Sequence, residues 1–266
     1  MAVLAAALAD TPPRQQGGAD RFVTLLTGVG GDHKRSSMDK LILWDIDGTL
    51  LYSGGVAGEA MRAAMEQVYG RPSIAERLAY AGKTDQQIII ETFAEREHAD
   101  LVGMLEHFTA AYLKELEARR ADFLARGRVL VGVVPLLERL AGEPVVQSVL
   151  TGNLQLVARL KLDLFGLARY LDLEVGAYGS DHHRRPELVP IAAARAARRY
   201  GRPFAGRDVV VIGDTPHDID CGRASGARTV AVATGPFSAD ELRAHGADVV
   251  LPDLADTDAA LKAILG

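Results

Sequence analysis

Leu41-Ile42-Leu43-Trp44-Asp45-Ile46-Asp47-Gly48-Thr49-Leu50 is the stretch on which the fold turns. Four apolar residues with no polar alternation read as a strand buried on both faces, as in a parallel sheet covered by helices on either side. The run ends in two carboxylates spaced by two, followed by Gly48 where the chain must turn sharply. Like charges at the end of a buried strand are costly unless a cation or hydrogen-bond donors compensate. A solvated strand-to-loop turn, in which Asp and Gly are favoured for backbone reasons, accounts for the same residues. On this stretch alone the two readings stand level.

Outward from it, apolar runs recur at 145–150, 171–175, 209–212, 229–233 and 249–251, interleaved with helical periodicity at 154–164, 187–200, 216–225 and 239–245. Strands alternating with helices of crossover length predict an α/β fold, a doubly wound parallel sheet. The interval 54–128 differs, reading as helix upon helix without a strand. Ala57, Ala60, Met61, Ala64, Met65 and Val68 share one face, and Gly70 ends that segment as a C-terminal cap would. Leu101, Met104, Leu105, Phe108, Tyr112 and Leu116 repeat the spacing along a longer helix. The expected organisation is an α/β core at 38–53 and 129–266, an inserted all-helical cap at 54–128 and an N-terminal extension at 1–37. Ligands of open α/β sheets bind beyond the carboxyl ends of the strands, so the insertion is expected to lie over the site as a lid.

Gly, Pro, Gln and charge dominate 10–37, a composition that resists packing, so the extension reads as flexible and Met38 as the natural start. Gly28-Val29-Gly30-Gly31 lacks the spacing of a dinucleotide loop and reads as linker. The whole chain of 266 residues is 48% apolar and 24% charged, ordinary globular usage. Thirty basic against thirty-five acidic residues give a net charge of -5 with no basic stripe, which argues against a nucleic-acid partner. The apolar first residues follow no Lys or Arg and lead into no long apolar stretch, so neither export signal nor membrane span is expected. Cys221 is the single cysteine and cannot form an internal disulfide; a cytoplasmic protein, monomeric or weakly homodimeric, is the expectation. Its place in the helix after Asp218 suits packing.

A second acidic pair follows the run at 209–212, in Gly213-Asp214-Thr215-Pro216-His217-Asp218. Thr215 suits a helix N-cap and Pro216 the first helical position, which leaves Asp214 at the strand mouth and Asp218 in the first turn. The helix dipole alone accounts for Asp218, but explains Asp214 less well. Two parallel strands that each deliver acid at their carboxyl ends assemble an oxygen-rich cluster suited to Mg²⁺. In Thr151-Gly152-Asn153 a hydroxyl and nearby N–H groups offer a site for phosphate oxygens; plain capping by Asn153 is the competing explanation. Arg185, before Pro186, could grip a phosphoryl group bidentately or stand solvated beside Arg184. His182-His183 has no partner at metal-ligand spacing and reads as an exposed loop.

Asp45-Ile46-Asp47-Gly48-Thr49-Leu50, Thr151-Gly152-Asn153, Arg185-Pro186 and Gly213-Asp214-Thr215-Pro216-His217-Asp218, in that order, resemble the four motifs of the haloacid dehalogenase superfamily over roughly residues 38–255. The helical insertion resembles the C1 cap of its phosphoglycolate phosphatase-like members. The resemblance implies Asp45 as nucleophile, forming an aspartyl phosphate, and Asp47 as acid and base. It implies Mg²⁺ held by Asp45, the backbone carbonyl of Asp47 and Asp214, with Asp218 supporting the metal shell or Arg185. Thr151, Gly152, Asn153 and Arg185 would bind phosphate. The family pattern has lysine where Arg185 stands; arginine keeps the charge but changes reach and geometry. Dehalogenases of the superfamily lack an acid at the Asp47 position, because halide leaves without a proton whereas the alkoxide of a phosphate ester needs one. The implied activity is hydrolysis of a small phosphorylated metabolite. A phosphomutase or phosphotransferase on the same site and a non-catalytic regulatory protein are the alternatives. Gly82-Lys83-Thr84-Asp85 resembles a cap segment of these members, in which Lys83 would meet a substrate anion; equally, Thr84 and Gln87 form a capping box that leaves Lys83 solvated.

Overall fold

Strand β1 (Lys40–Trp44) carries four consecutive side chains with no solvent exposure, Leu41 to Trp44. Their alternation divides them between two cores. Ile42 and Trp44 pack with Leu136, Leu137, Ala158, Leu162 and Ile264, whereas Leu41 and Leu43 pack with Leu188, Ala192, Ala196 and Cys221. The unbroken apolar run is therefore a strand with a helical layer on each face. The computed structural model describes residues 38–71 and 80–266, so the readings made on 1–37, including the glycine patch at 28–31, lie outside the described residues.

The chain continues through β2 (Leu51–Tyr52), α1 (Val56–Tyr69), α2 (Asp85–Thr92), α3 (His98–Gly103), α4 (Leu105–Ala118), α5 (Arg120–Arg126) and β3 (Arg128–Val129). The remainder runs α6 (Val133–Leu140), β4 (Val145–Thr151), α7 (Gln155–Leu164), β5 (Ala177–Tyr178), α8 (Leu188–Tyr200), β6 (Val209–Gly213), α9 (Pro216–Ala224), β7 (Arg228–Val232), α10 (Ala239–Ala244), β8 (Val249–Leu251) and α11 (Thr257–Leu265). One six-stranded sheet has the order β5-β4-β1-β6-β7-β8, every pair parallel. β1 lies between β4, with Trp44 opposite Val149, and β6, with Trp44 opposite Ile212. The strand order reverses there, and the crevice beyond the carboxyl ends of these three strands is where such a sheet accepts a ligand.

Between β1 and the rest of the sheet, α1 to α5 surround an apolar cluster that includes Met65, Tyr69, Phe93, Phe108, Tyr112 and Phe123, and Leu154 and Val157 of the α7 region close it from below. The chain enters and leaves this helical unit through a short antiparallel ribbon, with Leu51 opposite Val129 and Tyr52 opposite Arg128. Gly70 stops α1 as expected, in the left-handed region at φ 85° with its N–H on the Glu66 carbonyl.

Two sequence expectations are corrected. The run at 171–175 is no strand: the Asp172 N–H donates to the Gln147 carbonyl of β4 at 2.8 Å, but the Asp172 carboxylate then accepts the Glu174 N–H at 3.2 Å in a turn, and the ladder with β4 is made by Ala177 and Tyr178. Leu171, Leu173 and Val175 are nonetheless buried, which is why their apolarity imitated a strand. The long helix expected across 101–116 breaks at Met104, just after Gly103, into α3 and α4. Among the described residues no helix is long and apolar enough to cross a membrane.

Cys221 on α9 has no solvent exposure, and burial pushes its thiol up to about 12. A disulfide-exchange reagent at pH 8 should leave it unlabelled in the native protein and modify it in denaturant; rapid native labelling would show that α9 does not pack against the sheet.

Candidate active site

β1 delivers Asp45, whose N–H still donates to the Ile212 carbonyl at 2.8 Å, so the backbone remains tied to β6 where the side chain meets the crevice. The next turn is tight: the N–H groups of Leu50 and Leu51 both donate to the Ile46 carbonyl, at 2.9 and 3.0 Å. Gly48 holds φ 90°, and a Cβ there would strike the Asp214 carboxyl, so both conformation and space require glycine. β6 delivers Asp214, whose Oδ1 accepts the Thr49 hydroxyl at 3.1 Å. Thr215 and Pro216 open α9 as the sequence predicts, and Asp218 Oδ2 accepts both the Thr215 N–H, at 3.1 Å, and its hydroxyl, at 2.7 Å. Asp45, Asp214 and Asp218 each place an oxygen within 4.8 Å of the other two.

The guanidinium of Arg185 lies against this cluster. Its Nη2 is 2.9 Å from Asp45 Oδ1 and 2.5 Å from Asp218 Oδ1, while Nη1 donates to the Gly82 carbonyl at 2.8 Å. Among the described residues it is the one cation ion-paired with the cluster. Three carboxylates against one guanidinium leave a surplus of buried negative charge. Burial, partly offset by Arg185 and reinforced by Asp218 and Asp47, pushes Asp45 up to about 7. Burial together with Asp45 and Asp218 holds Asp214 well above the usual carboxylate range. Burial opposes the charge on Arg185, but Asp218 and Asp45 outweigh it and keep the guanidinium protonated. A divalent cation would relieve the same strain. The donor set is hard oxygen, and a Cβ on Gly48 or Gly235 would fill the space beside the Asp214 carboxyl. These residues therefore fit Mg²⁺.

Asp47 is placed differently. Its side chain is 39% exposed, and its Oδ2 receives the Asn153 amide at 2.8 Å and the Lys161 ammonium at 2.7 Å. Thr151, fully buried at the end of β4, accepts the Asn153 amide at 2.8 Å. Gly152 meets the cap: a Cβ on it would collide with the backbone of Lys83 and Thr84, and its carbonyl accepts the Asp85 N–H at 2.8 Å. Lys83 reaches Glu91 at 2.5 Å. Asp45, Asp47, Lys83, Thr151, Gly152, Asn153, Arg185 and Asp214 all line one cavity of about 700 Å³, walled on the cap side by Met61, Arg62, Ile88 and Tyr112. Asp218 is buried and does not line it.

The cap segment is stitched to the core loops. Thr84 caps α2 as expected, and its hydroxyl donates to the His183 carbonyl at 2.7 Å. The Gln86 amide donates to the Gly179 carbonyl at 2.6 Å, and Asp85 Oδ2 accepts the Leu154 N–H at 2.9 Å. His182 and His183, expected in an exposed loop, are half-buried, their rings stacked at 4.8 Å with His98 of the cap against His183. Sequence reasoning missed Lys161 and Asp85. Lys161 did leave a signal, since Val157, Ala158 and Leu162 form the buried stripe of α7 and a lysine interrupts it.

The sequence matches the family described as haloacid dehalogenase-like hydrolase over residues 42–223. A relative named "Probable phosphatase IndB", from Dickeya dadantii, is 25% identical over 233 residues, spanning 86% of this chain and 96% of its own. "Tyrosine-protein kinase PtkA" from Mycobacterium tuberculosis is 30% identical over 205 residues, 76% of this chain and 64% of its own. The crystal structure of a hydrolase from Pseudomonas syringae superposes with a TM-score of 0.64 at 22% identity, over 85% of this chain and 99% of that one, which shows a shared fold.

Burial, eased by Lys161, pushes Asp85 from its ordinary 3.8 up to about 6. The folded protein thus keeps a proton there that the unfolded chain has lost, and the stability this supplies is full below about pH 4 and gone above about pH 6. Asp85→Asn should flatten that slope and raise stability at pH 7.5 by about 1–3 kcal/mol in urea unfolding. Arg185→Ala, which strands the buried carboxylates, should cost about 3–5 kcal/mol in the same measurement, and Arg185→Lys less.

Proposed function

The chain belongs to the haloacid dehalogenase-like hydrolase family, and on that premise we propose that it is a Mg²⁺-dependent phosphatase of a small phosphorylated metabolite. The observation that carries this reading is the division between two carboxylates of one turn. Asp45 is buried among acids and paired with Arg185, whereas Asp47 stands half-exposed on the cavity wall between an ammonium and an amide. Such unlike surroundings suit one residue to attack and the other to proton transfer.

Asp45 attacks phosphorus through a carboxylate oxygen while the ester P–O bond breaks, forming an aspartyl phosphate. Asp47 gives its proton to the departing alkoxide and then takes one from the water that hydrolyses the aspartyl phosphate. Arg185, already ion-paired with Asp45 and Asp218, keeps the nucleophile oriented and offsets its negative charge. Thr151 and Gly152 line the cavity, where the Thr151 hydroxyl and the Gly152 backbone would meet the phosphoryl oxygens. Mg²⁺ bound by Asp45, the Asp47 carbonyl and Asp214 would supply positive charge that lets two anions meet and stabilises the transferring phosphoryl group. Lys83 and Arg62 line the cap side of the cavity, where a substrate's remaining anionic group would lie. A cytoplasmic, monomeric or weakly dimeric enzyme completes the proposal.

The similarity to a protein named as a tyrosine kinase favours one second reading, transfer of the phosphoryl group from Asp45 to an acceptor other than water. Both readings share the first half-reaction and differ in the second.

Wild-type protein should release phosphate from p-nitrophenyl phosphate with Mg²⁺ and lose that activity in EDTA. Asp45→Asn should fall to background, and Asp47→Asn should lose about 10²–10⁴-fold. Wild-type turnover in Asp45→Asn would remove the nucleophile; p-nitrophenol release without stoichiometric phosphate would favour transfer.

A further inference from the structure

Lys161 is a buried charged residue of the cavity wall that lies outside the four motifs and has no step of its own in the mechanism above. It lies on the buried face of α7 at 2% exposure, in a stripe otherwise made of Val157, Ala158 and Leu162. Helical side chains lean toward the N-terminus, so its stem runs back along α7 toward the loop that precedes the helix. The ammonium ends 2.7 Å from Asp47 Oδ2 and 2.6 Å from Asn153 Oδ1. Asn153 completes a triangle by donating its own amide to the same Asp47 oxygen at 2.8 Å, and is itself held by the Thr151 hydroxyl at 2.8 Å. Asp47 Oδ1 takes no hydrogen bond from the described residues.

Burying an ammonium at a position where an aliphatic side chain would complete the stripe is a poor route to stability. The arrangement does something else. Two donors on one oxygen remove the rotation of the Asp47 carboxyl and leave the other oxygen open. We propose that Lys161, with Asn153, is a positioning residue that clamps Asp47 through Oδ2 so that Oδ1 faces the leaving group of a phosphate ester. This rests on the phosphatase reading. In the step concerned the P–O bond to the leaving group breaks, the bond from Asp45 to phosphorus forms, and the proton on Asp47 Oδ1 passes to the departing oxygen. The same atom recovers a proton from water in the second step. The clamp spans the sheet end, the Thr151-Gly152-Asn153 loop and α7, so it orients Asp47 from the core.

A clamp on the acid predicts a dependence on the leaving group that a structural ion pair would not produce. Phenolate needs protonation far more than p-nitrophenolate does, and kcat/KM reports only steps through transfer to Asp45. For Lys161→Met, kcat/KM on phenyl phosphate should fall about 100-fold, with less than about a 10-fold loss on p-nitrophenyl phosphate and KM for both little changed. Asp47→Asn should likewise lose more on phenyl phosphate than on p-nitrophenyl phosphate, though by more on each than Lys161→Met does, and adding Lys161→Met to Asp47→Asn should cost little more. Lys161→Arg, which keeps the charge, should recover part of the phenyl phosphate activity. Should Lys161→Met fail to fold, Asn153→Ala, which removes the neutral half of the clamp, carries the same comparison. Equal losses on both esters, or additive losses in the double variant, would overturn the clamp while leaving the phosphatase standing. Wild-type protein inactive on both esters with Mg²⁺ would instead overturn the phosphatase reading, and the clamp with it.

Discussion

Asp45, Asp214 and Asp218 bring three carboxylates out of water at the mouths of two adjacent parallel strands, with one guanidinium against them. Desolvated like charges repel with little screening, and the chain does not place them there for stability. Much of the surrounding architecture exists to hold this arrangement. The strands are too well buried to shift, Gly48 and Gly235 leave room beside the Asp214 carboxyl, and Thr215 ties up one oxygen of Asp218 so that the other faces Arg185. A site that strains its own fold while fitting a hard cation and an anionic substrate is where local rules are expected to be broken for function.

Arginine at position 185 has a consequence beyond its charge. Its two terminal nitrogens divide the work, one toward Asp45 and Asp218, the other toward the Gly82 carbonyl of the cap segment. A lysine presents a single nitrogen and holds these separated partners less well. With Thr84, Asp85 and Gln86 bonded to core loops, the cap is joined to the sheet by directed hydrogen bonds as well as by the apolar contact at Leu154 and Val157. The cavity wall is therefore assembled from both parts of the chain, and the cap residues facing it are placed by the same bonds that close it.

The two aspartates of one short turn show how surroundings divide roles. Separated by a single residue, Asp45 is buried among acids and Asp47 is half-exposed beside an ammonium and an amide. Strand alternation does not account for the difference, since residues two apart share a face; the tight turn over Ile46 to Leu51, with Gly48 at φ 90°, takes Asp47 out of the strand. The remainder comes from α7, whose lysine was placed by a helix and not by the turn that carries Asp47.

From the sequence alone came the unalternated strands, their order with the helices, the glycine turn, the Thr215-Pro216 helix start and the four motifs, each of which sends at least one residue to one cavity. These are legible because backbone preference and burial pattern are carried by neighbouring residues and repeat with a fixed period. The strand at 177–178 was not legible, because the Asp172 carboxylate captured a nearby N–H and turned a chain that apolarity alone would extend. Lys161 escaped notice because its meaning lies in a partner 114 residues away, and Asp85 because the N–H it accepts is 69 residues away. Only the tertiary structure decided which charges face one another: an ion pair has no period along the chain, and its strength depends on a distance and a loss of water that packing alone creates.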